Sequence, residues 1–386
     1  MVPPCNDPVA LAQALVRCPS VTPADAGALD VVQRALEPLG FTCWRLPFSE
    51  PGVATVDNLF ARRGTDGPHL CFAGHTDVVP PGDPAAWRFD PFSGELADGA
   101  VWGRGAADMK GSIASFLAAV AQVDAADGPP SLSLLITGDE EADAINGTTK
   151  VLGWMAENGH LPDAALVGEP TNPTGLGEAV KIGRRGSLNA WITVTGRQGH
   201  TAYPAQADNA ASRMAKGLAA LLAEPVDSGT AHFDASNLEV ATIDVGNPAA
   251  NVIPAKATAT VNIRFNDTHT GAGLSQWLRE TFEAAAGPAE IRFRISAESF
   301  LTPPGALSDL VAEAVMATAG RTPVLSTSGG TSDARFIKDY CPVVEYGGVN
   351  ATIHQVDEHA LIEHLIGLRE TYAAVLTRFA RTWGAR

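Results

Sequence analysis

The sequence predicts an α/β protein with a mainly parallel central sheet and a smaller α+β domain inserted into the chain. Three observations predict this fold. Short, continuously apolar runs, such as residues 70–73, are typical of strands that are buried on both faces. These runs alternate with amphipathic helices, as expected of a parallel sheet. From about Val180 the strands alternate apolar and polar residues instead, which indicates a second domain.

Three predicted strands of the first part of the chain end in charged or imidazole side chains. A helix broken by a proline-containing turn is predicted over residues 7–39, and further helices follow residue 111 and cover residues 148–158. The predicted strands lie near residues 41–46, 58–62, 70–73, 132–137 and 164–167. Ligands of parallel sheets bind outside the carboxyl ends of the strands, so we expect the residues that follow the last three strands to share one crevice. These residues are His75 and Asp77, then Glu140 and Glu141, then Glu169.

Residues 181–296 are predicted to form the inserted domain. Its strands and helices follow in the order β-α-β-β-α-β, which is the split βαβ pattern of ferredoxin-like domains. Residues 1–180 and 297–386 would then form one discontinuous domain. This domain is completed by a helix near residues 306–319, a strand near residues 343–346 and a terminal helix over residues 360–379.

The composition limits the class of protein. The chain has 386 residues, of which 45% are hydrophobic and 18% charged, as in a globular protein of about two domains. Its 27 basic and 43 acidic residues give a net charge of −16, which argues against a nucleic acid or an anionic membrane as partner. Five scattered cysteines, never spaced as C-x-x-C, disfavour a disulfide framework and a thiolate zinc site. With no signal-peptide pattern and no long apolar run, we expect a cytoplasmic location.

A glycine-rich segment from Gly103 to Gly111, GRGAADMKG, surrounds a single carboxylate, Asp108. Glycine permits the positive φ angles of tight turns. By itself the segment fits a plain turn before a helix equally well. A dinucleotide-binding loop is disfavoured, because Asp108 stands where such a loop needs a third glycine and its charge would repel phosphate.

With Asp108 added, the predicted crevice would gather five carboxylates beside His75, namely Asp77, Asp108, Glu140, Glu141 and Glu169. Carboxylates this close together stay ionised only if cations neutralise them, which predicts a metal site. Imidazole and carboxylate ligands without thiolate suit zinc, manganese or cobalt better than calcium or magnesium. A His-x-Asp or Glu-Glu pair alone is more often a polar strand end or a solvated surface, and only the coincidence at successive strand ends favours a metal.

Motifs along nearly the whole chain resemble the zinc aminoacylase and carboxypeptidase family, peptidase family M20. They include GHTDVVPPGD from Gly74, GRGAADMKG from Gly103, LLITGDEEA from Leu134, VGEP from Val167, GRRGS from Gly183, QGHTAYP from Gln198 and GGTSDARFI from Gly329. The resemblance implies a zinc-peptidase-like catalytic domain. It also implies that the inserted domain is a lid and dimerisation domain, and that the protein is a homodimer.

The resemblance further implies two zinc ions, for which cobalt or manganese can substitute. The implied ligands are His75 and Glu169 for one ion, Glu141 and His354 for the other, and Asp108 as a bridge between them. Asp77 would fix the tautomer of His75, and Glu140 would be the general base without a metal bond of its own. A cis peptide bond is implied between Asp108 and Met109.

The implied reaction is hydrolysis of the amide in a small succinylated diamino dicarboxylate. His200, from the partner subunit, would donate a hydrogen bond to the developing oxyanion. The sequence context of His200 by itself favours a histidine in a turn. A substrate with three carboxylates calls for guanidinium groups. The implied substrate-binding residues are Arg184, Ser187, Tyr203, Asn251, Arg264 and Thr331.

Two alternative functions stay open. Another amidohydrolase of the family, such as an acetylornithine deacetylase or an aminoacylase, would use the same metal ligands, although GRRGS and GGTSDARF favour the succinylated substrate. A binding or regulatory protein that kept the fold and lost the metal chemistry is disfavoured, because the six residues expected in the crevice are all present.

Overall fold

The structure is a computed structural model that describes residues 5–123, 129 and 131–383. Its chain divides into two compact units. Unit one comprises Met1–Ile182, Thr302–Ser326 and Ser332–Arg386, and unit two comprises Gly183–Leu301 and Thr327–Thr331. The sequence analysis placed the inserted domain at residues 181–296. Unit two reaches further because a short antiparallel pair, Gly183–Arg184 with Phe300–Leu301, lies within it.

The first part of unit one builds most of the central sheet. A side-chain cap begins the first helix, since Asp7 Oδ1 accepts the backbone amides of Val9 and Ala10. The elements are α1 (Pro8–Val16), α2 (Ala28–Leu36), β1 (Thr42–Arg45), β2 (Phe48–Glu50), β3 (Val53–Val56), β4 (Leu59–Arg63), β5 (His69–His75), β6 (Glu95–Ala97), β7 (Ala100–Trp102), α3 (Gly111–Gln122), β8 (Ser131–Thr137), α4 (Thr148–Glu157), β9 (Ala164–Val167) and β10 (Ala179–Lys181).

Unit two contains four long strands, two long helices and several two-residue strands. Its elements are β11 (Gly183–Arg184), β12 (Gly186–Thr195), β13 (Gly199–His200), α5 (Ala210–Leu221), β14 (Asn237–Asp244), β15 (Val252–Ile253), β16 (Lys256–Phe265), α6 (Gly271–Ala286), β17 (Glu290–Ala297) and β18 (Phe300–Leu301). The long strands form an antiparallel sheet in the order β14-β16-β12-β17. The long strands and helices follow the order β12-α5-β14-β16-α6-β17, a β-α-β-β-α-β arrangement. Alternate residues of β12, including Leu188 and Ile192, are buried in one core with Leu218 of α5 and Phe282 of α6.

The chain then returns to unit one and completes its sheet. The elements are α7 (Ala306–Ala319), β19 (Val324–Ser326), α8 (Ala334–Ile337), β20 (Val343–Glu345), β21 (His359–Leu361) and α9 (Ile362–Thr382). The strand order of the central sheet is β1-β4-β8-β5-β9-β20-β10-β19. Four neighbouring pairs are parallel: β8 with β5, β5 with β9, β9 with β20, and β10 with β19. The predicted α/β class with a mainly parallel sheet is confirmed.

The strands at the middle of this sheet are buried along their whole lengths. Every residue of β5, β8 and β9 is buried, as is every residue of β10 and β20, which agrees with the short apolar runs at residues 70–73 and 164–167. Helices α1, α3 and α9 pack against one another in unit one. Among the helices of the described residues, none combines the length and apolar character that crossing a membrane requires.

Candidate metal centre

Strand order gathers the charged strand ends of unit one at a single edge of the sheet. β5 lies between β8 and β9, and all three run parallel. His75, the last residue of β5, lies opposite Thr137 of β8, and Ala73 lies opposite Val167 of β9. The segments that carry Glu140, Glu141 and Glu169 therefore begin beside His75, as the alternating pattern predicts.

Asp108 lies between two histidines and faces each with a different oxygen. Its Oδ1 is 3.3 Å from His75 Nε2, and its Oδ2 is 3.5 Å from His354 Nε2. Glu169 Oε1 is 3.6 Å from the same nitrogen of His75. Glu141 Oε1 is 3.0 Å from His354 Nε2. The five residues implied as metal ligands thus form two halves that share Asp108.

Two groups of side chains bring their potential ligand atoms within 4.8 Å of one another, close enough to hold a metal ion. One group is His75, Glu140 and Glu169, and the other is His75, Asp108 and Glu141. Glu140, which the sequence analysis assigns as a base, therefore lies among the ligand atoms.

The segment that carries Asp108, Ala106–Lys110, connects β7 to α3 in an unusual conformation. The peptide bond from Asp108 to Met109 is cis, which confirms the expectation from the resemblance. Gly103 and Gly105 have φ angles of 145° and 87°, which favour glycine. The segment leads directly into helix α3, which the alternative of a glycine-rich turn before a helix also predicts.

The backbone and the carboxylate of Asp77 contact different residues. His75 Nδ1 lies 2.9 Å from the backbone oxygen of Asp77, whereas the nearer carboxylate oxygen is 3.6 Å away. Because a carbonyl only accepts, Nδ1 carries the proton and Nε2 of neutral His75 offers its lone pair to the crevice. The Asp77 carboxylate instead accepts the amides of Glu140 at 3.2 Å and Glu141 at 3.1 Å, and the Thr22 hydroxyl at 2.7 Å. The sequence analysis expects Asp77 to fix the tautomer of His75. In the structure, the backbone oxygen of Asp77 lies closer to His75 Nδ1 than its carboxylate does.

The electrostatics of the cluster suit a cation. Burial raises the pKa of Glu140 and of Glu169 well above the ordinary glutamate value, and the charge of Asp108 adds to it. Burial alone would lower the pKa of His75, but the contact with Asp108 and the charge of Glu169 raise it well above its ordinary value. These residues compete for protons when no cation neutralises them, and a divalent ion can replace those protons.

A buried carboxylate oxygen without a hydrogen-bond partner indicates that these residues fit a metal ion. Asp108 Oδ1 accepts no hydrogen bond from the described residues, even though it is buried and His75 Nε2 is near. A buried carboxylate oxygen without a partner is costly unless a ligand meets it. Oxygen and imidazole donors at this spacing fit a divalent ion of the zinc, cobalt or manganese type.

His354 approaches the crevice from a loop between β20 and β21. Its side chain is exposed, and its φ angle of 60° lies in the left-handed region that few residues adopt. The hydrogen bond with Glu141 raises the pKa of His354 above its ordinary value.

The remaining predicted residues all belong to unit two, where they form two groups. Ser187 on β12 is the direct neighbour of Arg264 on β16. Arg184 is buried, and its Nη1 donates to the backbone oxygen of Gly330 at 2.9 Å, next to Thr331. Burial first, and then the charge of Arg185, lowers the pKa of Arg264.

The second group surrounds a short strand pair. His200 on β13 lies opposite Val252 on β15, and Thr201 N donates to the backbone oxygen of Asn251 at 3.0 Å. The ring of Tyr203 lies 5.7 Å from that of His200, and Tyr203 is 61% exposed.

Sequence reasoning missed two residues beside the segment that carries Asp108. Arg104 and Glu358 form a buried ion pair, with 2.6 Å between Arg104 Nη1 and Glu358 Oε2. Arg104 belongs to the motif GRGAADMKG, and the sequence pattern predicts no separate role for it or for Glu358. The one signal was position, since Glu358 follows the proposed ligand His354 by four residues.

Comparisons with known proteins place the chain in a family. The model of the peptidase family M20/M25/M40 matches residues 71–378. A protein of Rhodospirillum centenum named succinyl-diaminopimelate desuccinylase is 61% identical over 375 residues, which cover 97% of this chain and 97% of that protein.

Two solved structures share the fold at low sequence identity. The aminopeptidase PepT of Bacillus cereus has a TM-score of 0.77 at 19% identity, covering 97% of this chain and 99% of that chain. The YxeP protein of Bacillus subtilis, described as a dinuclear metal binding peptidase, has a TM-score of 0.67 at 17% identity and covers 98% of each chain. The extent of the family match and the high identity to the Rhodospirillum centenum protein lead to one conclusion: the chain belongs to the peptidase family M20/M25/M40.

Proposed function

We propose that this protein is a dizinc amidohydrolase that hydrolyses N-succinyl-LL-2,6-diaminopimelate to succinate and LL-2,6-diaminopimelate. The observation that carries the proposal is Asp108, whose two oxygens face two different histidines within an acidic, buried crevice. The substrate is taken from the name of the Rhodospirillum centenum relative. The reaction belongs to lysine and diaminopimelate biosynthesis.

Four of the five proposed ligands divide between the two ions, and the fifth is shared. His75 and Glu169 would hold one ion, Glu141 and His354 would hold the other, and Asp108 would be the ligand common to both. When bound, the ions supply Lewis acidity, which polarises a carbonyl and lowers the pKa of a coordinated water. Zinc is proposed because imidazole and carboxylate donors suit it, with cobalt or manganese as substitutes. The dinuclear metal binding described for the Bacillus subtilis neighbour is consistent with this number of ions.

Glu140 is the general base of the proposed reaction. Its amide is fixed by the Asp77 carboxylate, and burial raises its pKa, which brings it closer to the working pH of a proton-transfer group. Glu140 accepts a proton from the attacking water, whose oxygen bonds to the succinyl carbonyl carbon. The carbon–nitrogen bond then breaks, and Glu140 returns the proton to the departing amine.

His200 is suited to donate a hydrogen bond to the oxyanion. Ala202 N donates to His200 Nδ1 at 3.0 Å, so in the neutral ring the proton is on Nε2. That proton is available to an oxygen that gains charge during the reaction. In the proposal His200 serves the active site of the partner subunit.

The carboxylates of the substrate are assigned to unit two. Arg184 and Arg264 supply the guanidinium groups, which match carboxylate geometry. The polar neighbours that complete the proposed binding set are Ser187, Tyr203, Asn251 and Thr331. We assign unit two as the lid and dimerisation domain of a homodimer.

One assay tests the reaction. The purified protein is stripped with a chelator, reloaded with zinc, and incubated with N-succinyl-LL-2,6-diaminopimelate while succinate release is measured. We expect turnover with zinc and none in the chelated protein. Faster cleavage of N-acetylornithine or of N-acetyl amino acids would assign a different substrate within the family. No bound metal and no effect of the chelator would overturn the enzymatic function.

A further inference from the structure

Glu358 is a fully buried carboxylate beside the segment that carries Asp108. The proposed reaction does not use Glu358. It directly precedes β21, which pairs antiparallel with β7, so that His359 lies opposite Trp102. This pairing brings Glu358 against the residues that follow β7. Those residues lead to Asp108.

Both carboxylate oxygens of Glu358 are bound to this one segment. Its Oε1 accepts the backbone amides of Gly105 at 3.1 Å, Ala107 at 3.0 Å and Asp108 at 3.1 Å. Its Oε2 accepts Arg104 Nη1 at 2.6 Å. The backbone oxygen of Glu358 also accepts the amide of Gly103 at 2.8 Å. Three amides that converge on one charged oxygen form an anion-binding concavity, which Glu358 fills from within the chain.

Arg104 extends these contacts to the loop that carries the proposed metal ligand His354. Its Nη1 also donates to the backbone oxygen of Gln355 at 3.3 Å, and Gln355 follows His354 directly. The guanidinium carbon lies 5.2 Å from the centre of the Trp87 ring, which limits its movement. One ion pair thus connects the segment of Asp108 with the loop of His354.

We infer that Glu358, together with Arg104, is a positioning residue that orients Asp108 to bridge two metal ions. The inference rests on the proposed dizinc centre. Glu358 touches neither the ions nor the substrate in this role. It fixes the Asp108 backbone through the amide of that residue, so the two side-chain oxygens keep their separate directions towards His75 and His354.

Removing one partner of a buried ion pair also destabilises a protein, so the test needs a measurement that a merely structural role would not change. That measurement is the affinity for each metal ion. Because Asp108 contacts both halves of the centre, a displaced Asp108 must weaken both ions together. A role in stability alone would lower the melting temperature of the apoprotein and leave the affinities unchanged.

The test compares Glu358→Gln with a matched control, Glu178→Gln. Glu178 also accepts backbone amides, from Thr174 at 2.7 Å and Gly175 at 3.2 Å, and lies 3.5 Å from Arg321, but at another turn of unit one. Each full-length apoprotein is titrated with zinc against a competing chelator, and melting is followed without metal. We expect Glu358→Gln to weaken both ions by about 10- to 100-fold, the usual effect of losing a partner of a metal ligand. The control should keep the wild-type affinities.

A second variant covers the case in which Glu358→Gln does not fold. Arg104→Lys keeps the positive charge and loses the guanidinium group whose Nη1 donates to both Glu358 and Gln355, and it should weaken the binding of both ions. Wild-type affinities in a folded variant at either position, or weakening of one ion only, would overturn the inference. If the wild-type protein itself does not bind two ions, that result would contradict the proposed dizinc centre, and therefore also the inference that rests on it.

Discussion

Adjacent glutamates at the end of β8 take different partners, although they share one turn. Glu141 Oε1 meets His354 Nε2 at 3.0 Å, whereas Glu140 lies among the ligand atoms of His75 and Glu169. The Asp77 carboxylate accepts both of their amides, so the two side chains start from a fixed backbone. Such an arrangement lets one glutamate bind metal while its neighbour transfers protons.

Glu140→Gln separates these two tasks. The amide cannot accept the proton, so we expect turnover to fall by about 10²- to 10⁴-fold while two zinc ions stay bound. Glu141→Gln is the matched control and should lose affinity for the ion held with His354. Succinate release and zinc content, measured on the same samples, distinguish the two. Loss of zinc in Glu140→Gln would reassign that residue as a ligand.

His69, at the start of β5, should make unit one sensitive to acid. Its Nε2 lies 2.7 Å from the Ser133 hydroxyl and its Nδ1 lies 3.2 Å from the backbone oxygen of Leu161, which satisfies the neutral ring. Burial first, and then the charge of Arg62, lowers the pKa of His69 from 6.5 to about 4.

The unfolded chain therefore binds this proton near pH 6.5 and the folded chain only near pH 4. The stability that neutral His69 contributes, about 3 kcal/mol, is present above pH 6.5 and is lost as the pH falls towards 4. Urea unfolding of metal-free wild type and of His69→Gln at several pH values measures it. Parallel stability curves for the two proteins would contradict the expectation.

At the scale of elements, Met109, which follows Asp108, packs against the ends of β5 and β9 because glycines stand there. Met109 is fully buried. A Cβ atom added at Gly74, near the end of β5, would lie 2.6 Å from Met109 Cε. One added at Gly168, after β9, would lie 2.7 Å from the same atom and 2.5 Å from Phe72 Cζ. The packing of the Met109 and Phe72 side chains against these strand ends thus depends on the missing side chains of the two glycines.

Gly168→Ala should damage both stability and metal binding. The added Cβ would press on the buried ring of Phe72, so we expect a loss of about 1–3 kcal/mol in unfolding free energy. Zinc binding should weaken as well, because Gly168 directly precedes the proposed ligand Glu169. Gly153→Ala, within α4, is the control, because its added Cβ meets nothing within 4 Å among the described residues. It should raise stability by about 0.5–1 kcal/mol. Equal effects of the two substitutions in urea unfolding would refute this packing argument.

At the scale of the whole molecule, the proposed dimer assigns a use to an exposed strand edge of unit two. In the described sheet, β14 pairs with β16 on one side only. It carries Ile243, which is 58% exposed, followed by Val245 at 36%. An exposed edge with apolar side chains is a favourable place for pairing with another chain.

Ile243→Lys should therefore shift the protein from dimer to monomer, because a charge at the edge opposes pairing. Val324→Lys is the control: Val324 is 66% exposed on β19, at an edge of the sheet in unit one. Sedimentation velocity at several concentrations measures the change. A wild type that sediments with the mass of one chain, or a dimer lost only in Val324→Lys, would contradict the assignment to unit two.

The sequence determined the fold class and most long elements of this protein, because burial on both faces or on one face leaves a period in the residues. The buried strand β9 was predicted at residues 164–167 and found at Ala164–Val167, and helix α7 was predicted at 306–319 and found at Ala306–Ala319. Two-residue strands such as β11 and β18 leave no such period, since pairing with a distant segment alone defines them. Their pairing set the observed boundary of unit two.

The candidate site shows the same division. Strand ends and motifs identified the residues that converge on Asp108, because parallel strands deliver their carboxyl ends to one edge. Only the tertiary structure decided that the backbone of Asp77 meets His75, that its carboxylate holds the glutamate turn, and that Glu358 holds Asp108. Contacts between residues 250 positions apart, and hydrogen bonds to backbone atoms, are absent from any local pattern of residue types. The contact of Glu358 with Asp108 depends on the pairing of β21 with β7, which joins distant parts of the chain.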